Sequence, residues 1–381
     1  MSSLRLILLT LIRVVFNTAQ RMIYPFLAVF ARGLGVDVTA VSALVANRAL
    51  FGAATPFIFP FLEPRGRKFG MALGLGLFIA GVTLVAVSPG LFTLGAALIL
   101  VMVGNAFFNP SVIAYLADNS PYERRGLITA LSEFAWSLSF IAGAPLMGFL
   151  IARFGWMSPF VSLSVLGILA FLTILLFIHD THKVQPHTDG ALGNVRAIFA
   201  SPTVLAALGI GMCASMANEV VTLLFGVWLE DSFHLQIAAL ALASAVIGAS
   251  ELGGEGLVAA LADRLGKVRS IGLGLAVNCV AAALLPIIGR TEFGAMAGLF
   301  FFYISFEFTI VSHIPLMSEV MPKARATTLS FASSGNYLGR AIGAFVAPAL
   351  YALGFGAVTG AAILINLLGL VAVWYVGKVH R

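Results

Sequence analysis

Ten polar or ionisable side chains interrupt long apolar runs of this chain, and their chemistry suits a charged binding site or a proton relay. Charge at the centre of a bilayer is costly, so such side chains usually face a cavity or a partner. A buried glutamate without a partner has a raised pKa and can carry a proton. The candidates for binding a solute or a coupling proton are Arg13, Asn17, Arg21, Arg48, Glu133, Glu219, Glu251, Glu255, Glu307 and Arg340.

The spacing of these residues places several of them on shared helix faces. Asn17 and Arg21 are four residues apart and therefore lie on one face, which Arg13 continues. Glu251 and Glu255 likewise share a face, and two ionised carboxylates there would repel each other. Repulsion of this kind favours keeping one of the two acids protonated.

The charges divide unevenly along the chain. The first half contributes three arginines and one acid that we expect to be buried, Glu133, whereas the second half contributes four glutamates and Arg340. With five glutamates against four arginines, at least one acid has no buried arginine to pair with. The alternative is that Arg48 and Arg340 neutralise the acids as structural ion pairs. We expect proton coupling through an acid of the second half, namely Glu219, Glu251, Glu255 or Glu307.

Membrane-spanning helices must position these residues, because the chain has the composition of a membrane protein. Of its 381 residues, 60% are hydrophobic and 10% are charged, whereas a soluble domain carries about 25% charge. A helix needs roughly 20 apolar residues to cross the hydrocarbon, and the runs are too continuous for barrel strands. The sequence predicts an all-α integral membrane protein with twelve transmembrane helices, spans 1 to 12, at 4–31, 39–61, 69–87, 91–117, 127–152, 157–178, 203–229, 237–262, 268–288, 293–320, 327–353 and 355–377.

A charge motif that occurs twice divides the chain into two related halves. Residues 63–68 read EPRGRK and residues 263–267 read DRLGK, with an offset of 200 between the leading acids. The acid, proline and arginine of 118–124 recur in 319–325 at an offset of 201. Two such matches indicate a duplicated membrane unit, an architecture found mostly in transporters. We expect two pseudo-symmetric six-helix bundles, at 1–178 and 203–381, joined by a linker at 179–202.

Lysine and arginine are distributed asymmetrically between the loops. The loops after even-numbered spans, together with the C-terminal tail, hold 14 of these residues, and the opposite loops hold three. By the positive-inside rule this predicts a multi-pass protein of the cell membrane with both termini and the linker in the cytoplasm. The same distribution accounts for the net charge of +6 without nucleic acid as a partner.

The twelve spans, the central cytoplasmic linker and the six-plus-six repeat resemble the major facilitator superfamily over the whole chain. The family signature between helices 2 and 3 is G-x-x-x-D-R-x-G-R-[KR]. Residues 59–68 read FPFLEPRGRK, in which the acid, the second glycine and the two following cations match. The second copy, DRLGK, matches better, although Ala259 replaces the first glycine. Residues 143–148, GAPLMG, look like a degraded form of the glycine-proline signature of proton-coupled exporters, whereas the arginine that many exporters carry in helix 4 is absent.

The resemblance implies a cytoplasmic gate built from the charges of the repeated motif. The first acid would face the start of helix 11, whose dipole favours an anion, and the cation that follows would pair with the acid at the end of helix 4. These contacts would hold the cytoplasmic sides of the two halves together in an outward-open state. Solvated loop charge that only sets topology is the alternative. The implied gate residues are Glu63, Arg67 and Asp118 in the first half and Asp263, Lys267 and Glu319 in the second.

These features favour a secondary active transporter that works by alternating access, with a small-molecule solute and protons as partners in the lipid bilayer. The segment 143–148 favours export of a small organic or amphipathic solute. Uptake of an organic anion clamped by arginines, transport of a lipid-like substrate and a non-transporting membrane sensor are the alternatives.

Enzymatic function is not indicated by the sequence. Neither the pattern GxxxxGK[ST] nor HExxH occurs, and GASEL at 248–252 departs from GxSxG at its last residue. We therefore expect a monomer that has neither a cofactor nor a resident metal.

Overall fold

The computed structural model describes residues 3–58, 66–121, 125–178 and 191–379, and every regular element in these ranges is a helix. The first half contains α1 (Ser3–Arg21), α2 (Leu27–Leu34), α3 (Val38–Ile58), α4 (Arg67–Val87), α5 (Leu91–Asp118), α6 (Arg125–Leu138), α7 (Ala144–Phe154) and α8 (Ser158–Phe177). A short helix within the predicted linker follows, α9 (Ala191–Phe199). The second half contains α10 (Pro202–Thr222), α11 (Phe225–Phe233), α12 (Ile237–Leu265), α13 (Lys267–Ile288), α14 (Glu292–Glu319), α15 (Arg325–Tyr351) and α16 (Phe355–Val379).

Within the described residues, ten helical stretches are long and apolar enough to cross a membrane. The two predicted spans that are not among them are span 1, which is divided between α1 and α2, and span 11, which is α15. Both carry arginine within the predicted span, namely Arg5, Arg13 and Arg21 in α1 and Arg340 in α15. The all-α, multi-span class predicted from the sequence is confirmed.

The chain forms two compact units. Unit 1 comprises Met1–Pro186 with Gln236–Gly248, and unit 2 comprises His187–Leu235 with Ala249–Arg381. The first part of α12 therefore packs within unit 1, while the remainder of the same helix packs within unit 2.

The first span of each half, predicted at 4–31 and 203–229, is interrupted within its bounds. α1 ends at Arg21 and α2 begins at Leu27; α10 ends at Thr222 and α11 begins at Phe225. The two helix ends are 201 residues apart, as the repeat requires. In the first break Pro25 has no N–H to continue the helical ladder, whereas the second break contains no proline. Spans 1 and 7 are thus interrupted at corresponding positions of the repeat.

Span 5 contains a π-helical segment, Ser139–Gly143, between α6 and α7. The N–H of Ala144 donates to the carbonyl of Ser139, five residues back, and Pro145 follows directly. A wider turn before a proline accommodates the missing donor and the ring without ending the helix. The π-helical segment is thus the local form that the distortion before this proline takes.

The helices that follow the repeated charge motif begin in the same way. Gly66 precedes α4 with a φ of 96°, and Gly266 precedes α13 with a φ of 80°. Residues with a side chain rarely adopt this conformation, which explains glycine at both positions. The carbonyl of each glycine then accepts the N–H four residues on, from Gly70 and from Ser270. These turns fix where the cations Arg67 and Lys267 enter their helices.

Candidate functional site

Arg13 connects three helices of unit 1. The side chain is 3% exposed, its Nε donates to Oδ1 of Asn109 on α5 at 2.9 Å, and it also donates to the hydroxyl of Ser132 on α6. Its Nη2 lies 2.9 Å from Oε1 of Glu133. The Glu133 side chain is 46% exposed, so the prediction that this acid is buried was wrong. Glu133 therefore neutralises Arg13 from a half-exposed position.

Arg21 lies between two aromatic rings of span 5. Its guanidinium carbon is 3.5 Å from the ring centroid of Phe140 and 4.3 Å from that of Trp136. Its Nη1 donates to the carbonyl oxygen of Trp136 at 2.8 Å. A planar cation that is both stacked and hydrogen-bonded in this way is held in one orientation. Phe140 belongs to the π-helical segment, so the distortion of span 5 contributes directly to the Arg21 environment.

Arg48 reaches from α3 to the break in span 1. Its Nη1 donates to the backbone carbonyl of Gln20 at 2.7 Å, and its Nη2 donates to the hydroxyl of Tyr24 at 2.8 Å. The carbonyl of Gln20 belongs to the last turn of α1, where carbonyls lack helical partners and a cation is favoured. Arg48 therefore caps the interrupted helix, and its placement is explained by the break that the sequence did not predict.

Buried amide side chains are present in both units. Gln20 Nε2 and Asn105 Oδ1 in unit 1, and Asn218 Oδ1 in unit 2, have no hydrogen-bond partner in the described part of the chain. Leaving such a group unsatisfied costs roughly 1–3 kcal/mol, so a polar group of a solute would gain from meeting it. Asn17 is 2% exposed and Asn218 is 3% exposed, and the two occupy corresponding positions of the repeat, 201 residues apart.

Unit 2 also contains a charged pair, which joins α10 and α15. Arg340 Nη1 lies 3.3 Å from Oε2 of Glu219, whose side chain is 1% exposed, while that of Arg340 is 22% exposed. Gly343 lies so close to α10 that an added Cβ would be 2.9 Å from Cβ of Glu219. In unit 1 an added Cβ on Gly143 would collide with the Thr18 hydroxyl, and this contact lies within one residue of the corresponding point of the repeat.

The other acids of unit 2 lie where α12 packs against α14. Glu251 is 3% exposed and Glu307 is 7% exposed. An added Cβ on Gly254 would lie 2.7 Å from Cβ of Glu307, so the two helices are in close contact at this level. Glu255 is only partly buried. The structure therefore brings Glu307 beside the segment that carries Glu251 and Glu255.

The charges of the repeated motif form two ion pairs at the ends of helices. In unit 1, Arg67 Nε lies 3.4 Å from Oδ2 of Asp118. In unit 2, Lys267 pairs with Glu319. Asp263 is exposed at the end of α12, and Glu63 lies outside the described residues. Two of the pairs implied by the resemblance are thus in contact, each within its own unit.

Comparison with known proteins decides the family. A family model described as the Major Facilitator Superfamily matches residues 9–321. The chain belongs to this superfamily. The MFS-type transporter YwfA of Bacillus subtilis (strain 168), described as uncharacterized, is 28% identical over 364 residues, which are 93% of this chain and 87% of YwfA. Multidrug resistance protein 2 of the same strain is 25% identical over 380 residues, which are 93% of this chain and 90% of that protein.

Solved structures agree with the superfamily assignment. A bacterial homolog of the human lysosomal transporter Spinster, in an inward-facing and occupied conformation, matches with a TM-score of 0.78 at 15% identity, covering 100% of this chain and 97% of that chain. At this level of identity the likeness establishes the fold alone. The predicted MFS fold is confirmed, and the chain is a multi-pass membrane protein.

This superfamily member contains polar groups in unit 2 that sequence reasoning did not select. Asn278 Nδ2 donates to the carbonyl of Phe302 at 2.7 Å and to the hydroxyl of Ser305 at 2.9 Å, and Asn366 Nδ2 donates to Asn278 Oδ1 at 2.7 Å. The network joins α13, α14 and α16. The two asparagines could have been selected from the sequence because they interrupt very apolar runs, and buried amides in a membrane protein usually connect helices.

Aromatic residues of unit 1 were also missed. Nothing in the spacing of Trp136 and Phe140 distinguishes them from the other lipid-facing or core aromatics, because their role depends on the π-helical segment. The described residues contain no group of three or more histidines, cysteines or acids that could hold a metal ion.

Proposed function

We propose that this protein is a secondary active transporter that works by alternating access and exports a small organic or amphipathic solute in exchange for protons. The observation that carries the proposal is the buried pair of Glu219 and Arg340, an acid and a base 3.3 Å apart within the membrane-spanning helices. Similarity to a protein named Multidrug resistance protein 2 supports the export direction.

The balance of charge in unit 2 supports proton coupling. Four acids lie in the interior of its predicted spans, at 219, 251, 255 and 307, together with one arginine at 340, so this set has an excess of three negative charges if every group ionises. Anionic charge in a site of low dielectric constant is unfavourable, and protonation relieves it. A proton that moves onto Glu219 weakens its attraction to Arg340, so protonation and the α10–α15 contact are linked.

The environment of Arg21 supports an amphipathic solute. Two aromatic rings, a fixed cation and the amide of Gln20, whose Nε2 has no hydrogen-bond partner in the described part of the chain, give this part of unit 1 a mixed apolar and polar composition. Sites of this composition bind flat apolar molecules that carry a few polar groups. Uptake of an organic anion is the weaker candidate, because Arg13 and Arg48 already donate to protein oxygens in their buried positions.

The cycle that we propose uses the two motif ion pairs as parts of a cytoplasmic gate. Arg67 with Asp118, and Lys267 with Glu319, would stabilise one end state and separate in the other. The proposal includes a monomer in the cell membrane, both termini and the linker in the cytoplasm, and functional halves at 1–178 and 203–381 joined by 179–202.

The test is substrate-induced proton movement in proteoliposomes that contain an interior pH dye, screened with a pooled solute library. We expect one or more solutes to shift interior pH, and we expect Glu219→Gln to abolish the shift. Glu292→Gln is the matched control, since Glu292 is an exposed acid at the start of α14 in the same unit. Wild-type solute flux that is unaffected by the pH gradient would exclude proton coupling, and a normal proton shift in Glu219→Gln would exclude Glu219 as its carrier.

A further inference from the structure

We propose that a cleft in unit 2, between the start of α13 and the end of α16, binds the phosphate headgroup of an anionic phospholipid. The cleft has a volume of about 700 Å³, and neither Glu219 nor Arg340 is among the residues that line it. Residues at 265–269 and 272–273 form one wall, and residues at 373–374 and 377–378 form the other. We refer to it as the α13–α16 cleft. The inference is independent of the proposed transport activity.

The charges around the α13–α16 cleft have one sign. Lys267, Arg269 and Lys378 line it, and none of the lining residues in the described chain is acidic. Lys267 also pairs with Glu319, so Arg269 and Lys378, both exposed, are the principal candidates to contact an added anion. Arginine and lysine together match a phosphate, because guanidinium binds two oxygens at once and ammonium supplies a compact charge.

The apolar part of the cleft identifies the occupant as a lipid rather than a soluble anion. Trp374 is 66% exposed and Leu273 is 48% exposed, so both offer surface to hydrocarbon. Lys378 Nζ lies 5.5 Å from the centroid of the Trp374 ring. Tryptophan beside lysine is typical of the level at which lipid headgroups meet acyl chains. The surface of α16 continues with exposed Leu368 and Val371, along which an acyl chain can lie.

The position of the α13–α16 cleft agrees with this occupant. It lies at the end of unit 2 that carries Lys267, one of the loop cations that predict the cytoplasmic side. The cytoplasmic leaflet carries the anionic lipids, and each Lys or Arg near its surface contributes about 1 kcal/mol to attraction, or about fivefold in affinity. Gly272 and Gly377 also line the cleft, and an added Cβ would lie 3.4 Å from Val373 at the first position and 3.2 Å from Val268 at the second.

The test is native mass spectrometry of the purified full-length protein in detergent, titrated with phosphatidylglycerol. We expect the variant Arg269→Gln/Lys378→Gln to bind the first lipid about 25-fold more weakly than wild type, since two cations are lost. The control Arg264→Gln/Lys323→Gln removes two exposed cations from the same end of unit 2 without touching the cleft. Equal weakening in both variants, or none in the cleft variant, would overturn the proposal.

Two further measurements distinguish the source of the phosphate and do not rely on the charge variants. Brominated phosphatidylglycerol in nanodiscs is expected to quench tryptophan fluorescence more than brominated phosphatidylcholine, and Trp374→Phe is expected to remove that difference. Inorganic phosphate that displaces phosphatidylglycerol at equal concentration would show a soluble-anion site and overturn the lipid proposal. Failure of solute transport in any assay has no bearing on these outcomes.

Discussion

At the scale of the residue, the buried arginines are individually fixed by different means. Arg13 is fixed by an ion pair and hydrogen bonds, Arg21 by stacking, and Arg48 by a helix end. Because each of these cations interacts with specific protein groups, its removal should lower the stability of the fold by an amount that depends on how buried those groups are.

The two members of the Arg13–Glu133 pair should differ in their contribution to stability. We expect Arg13→Ala to lower the free energy of unfolding by roughly 2 kcal/mol or more, because it leaves buried acceptors on two helices without their donor. Glu133→Gln should cost less than about 1 kcal/mol, since Glu133 is half-exposed and the amide oxygen still accepts. Thermal unfolding in detergent measures both, and equal losses would contradict the asymmetry.

The stacked guanidinium of Arg21 should not tolerate replacement by lysine. Arg21→Lys keeps the charge but loses the planar group between Trp136 and Phe140, and we expect a destabilisation of about 0.5–2 kcal/mol. Arg290→Lys, at an exposed position, is the control and should unfold like wild type. The melting temperatures of the two variants decide the point, and an unchanged melting temperature for Arg21→Lys would show that charge alone suffices.

At the level of the helices, Gly66 and Gly266 adopt positive φ directly before α4 and α13. Their backbone conformation therefore determines where Arg67 and Lys267 enter these helices. Gly66→Ala and Gly266→Ala should each destabilise the protein by about 1–2 kcal/mol, because alanine is strained at positive φ. Gly76→Ala is the matched control within α4, where the added methyl meets open space and helix propensity improves. Chemical or thermal unfolding compares the three, and a loss in Gly76→Ala of the same size would point to packing instead.

At the scale of the whole molecule, the two motif pairs allow a test of the repeat itself. Reversing the charges singly, as Arg67→Asp or Asp118→Arg, should slow solute transport by up to about fivefold, the range expected for partly exposed pairs. The double reversal should restore most of the rate. The same three variants at Lys267 and Glu319 should give the same pattern, measured as initial flux in proteoliposomes. Recovery in one half only would mean that the two pairs have diverged in role.

Much of the architecture could be predicted from the sequence, because long apolar runs and a repeated charge motif can be recognised without knowledge of the fold. The ion pairs Arg67–Asp118 and Lys267–Glu319 could also be predicted, because the resemblance to the superfamily assigns these residues to a gate. The environments of Arg21 and Arg48 could not be predicted, since they depend on a π-helical turn and on a helix break that no composition rule detects. Glu133 was misplaced because an apolar run shows that a residue lies in a helix but does not show which direction it faces.

The interrupted first span of each half does not depend on one particular side chain. None of the nine residues 20–28 is identical to its counterpart in 221–229, and Pro25 corresponds to Gly226, which lies inside α11. Both copies nonetheless interrupt the helix after corresponding residues, Arg21 and Thr222. A proline is therefore not required for the interruption, and two different local sequences produce the same break in the backbone.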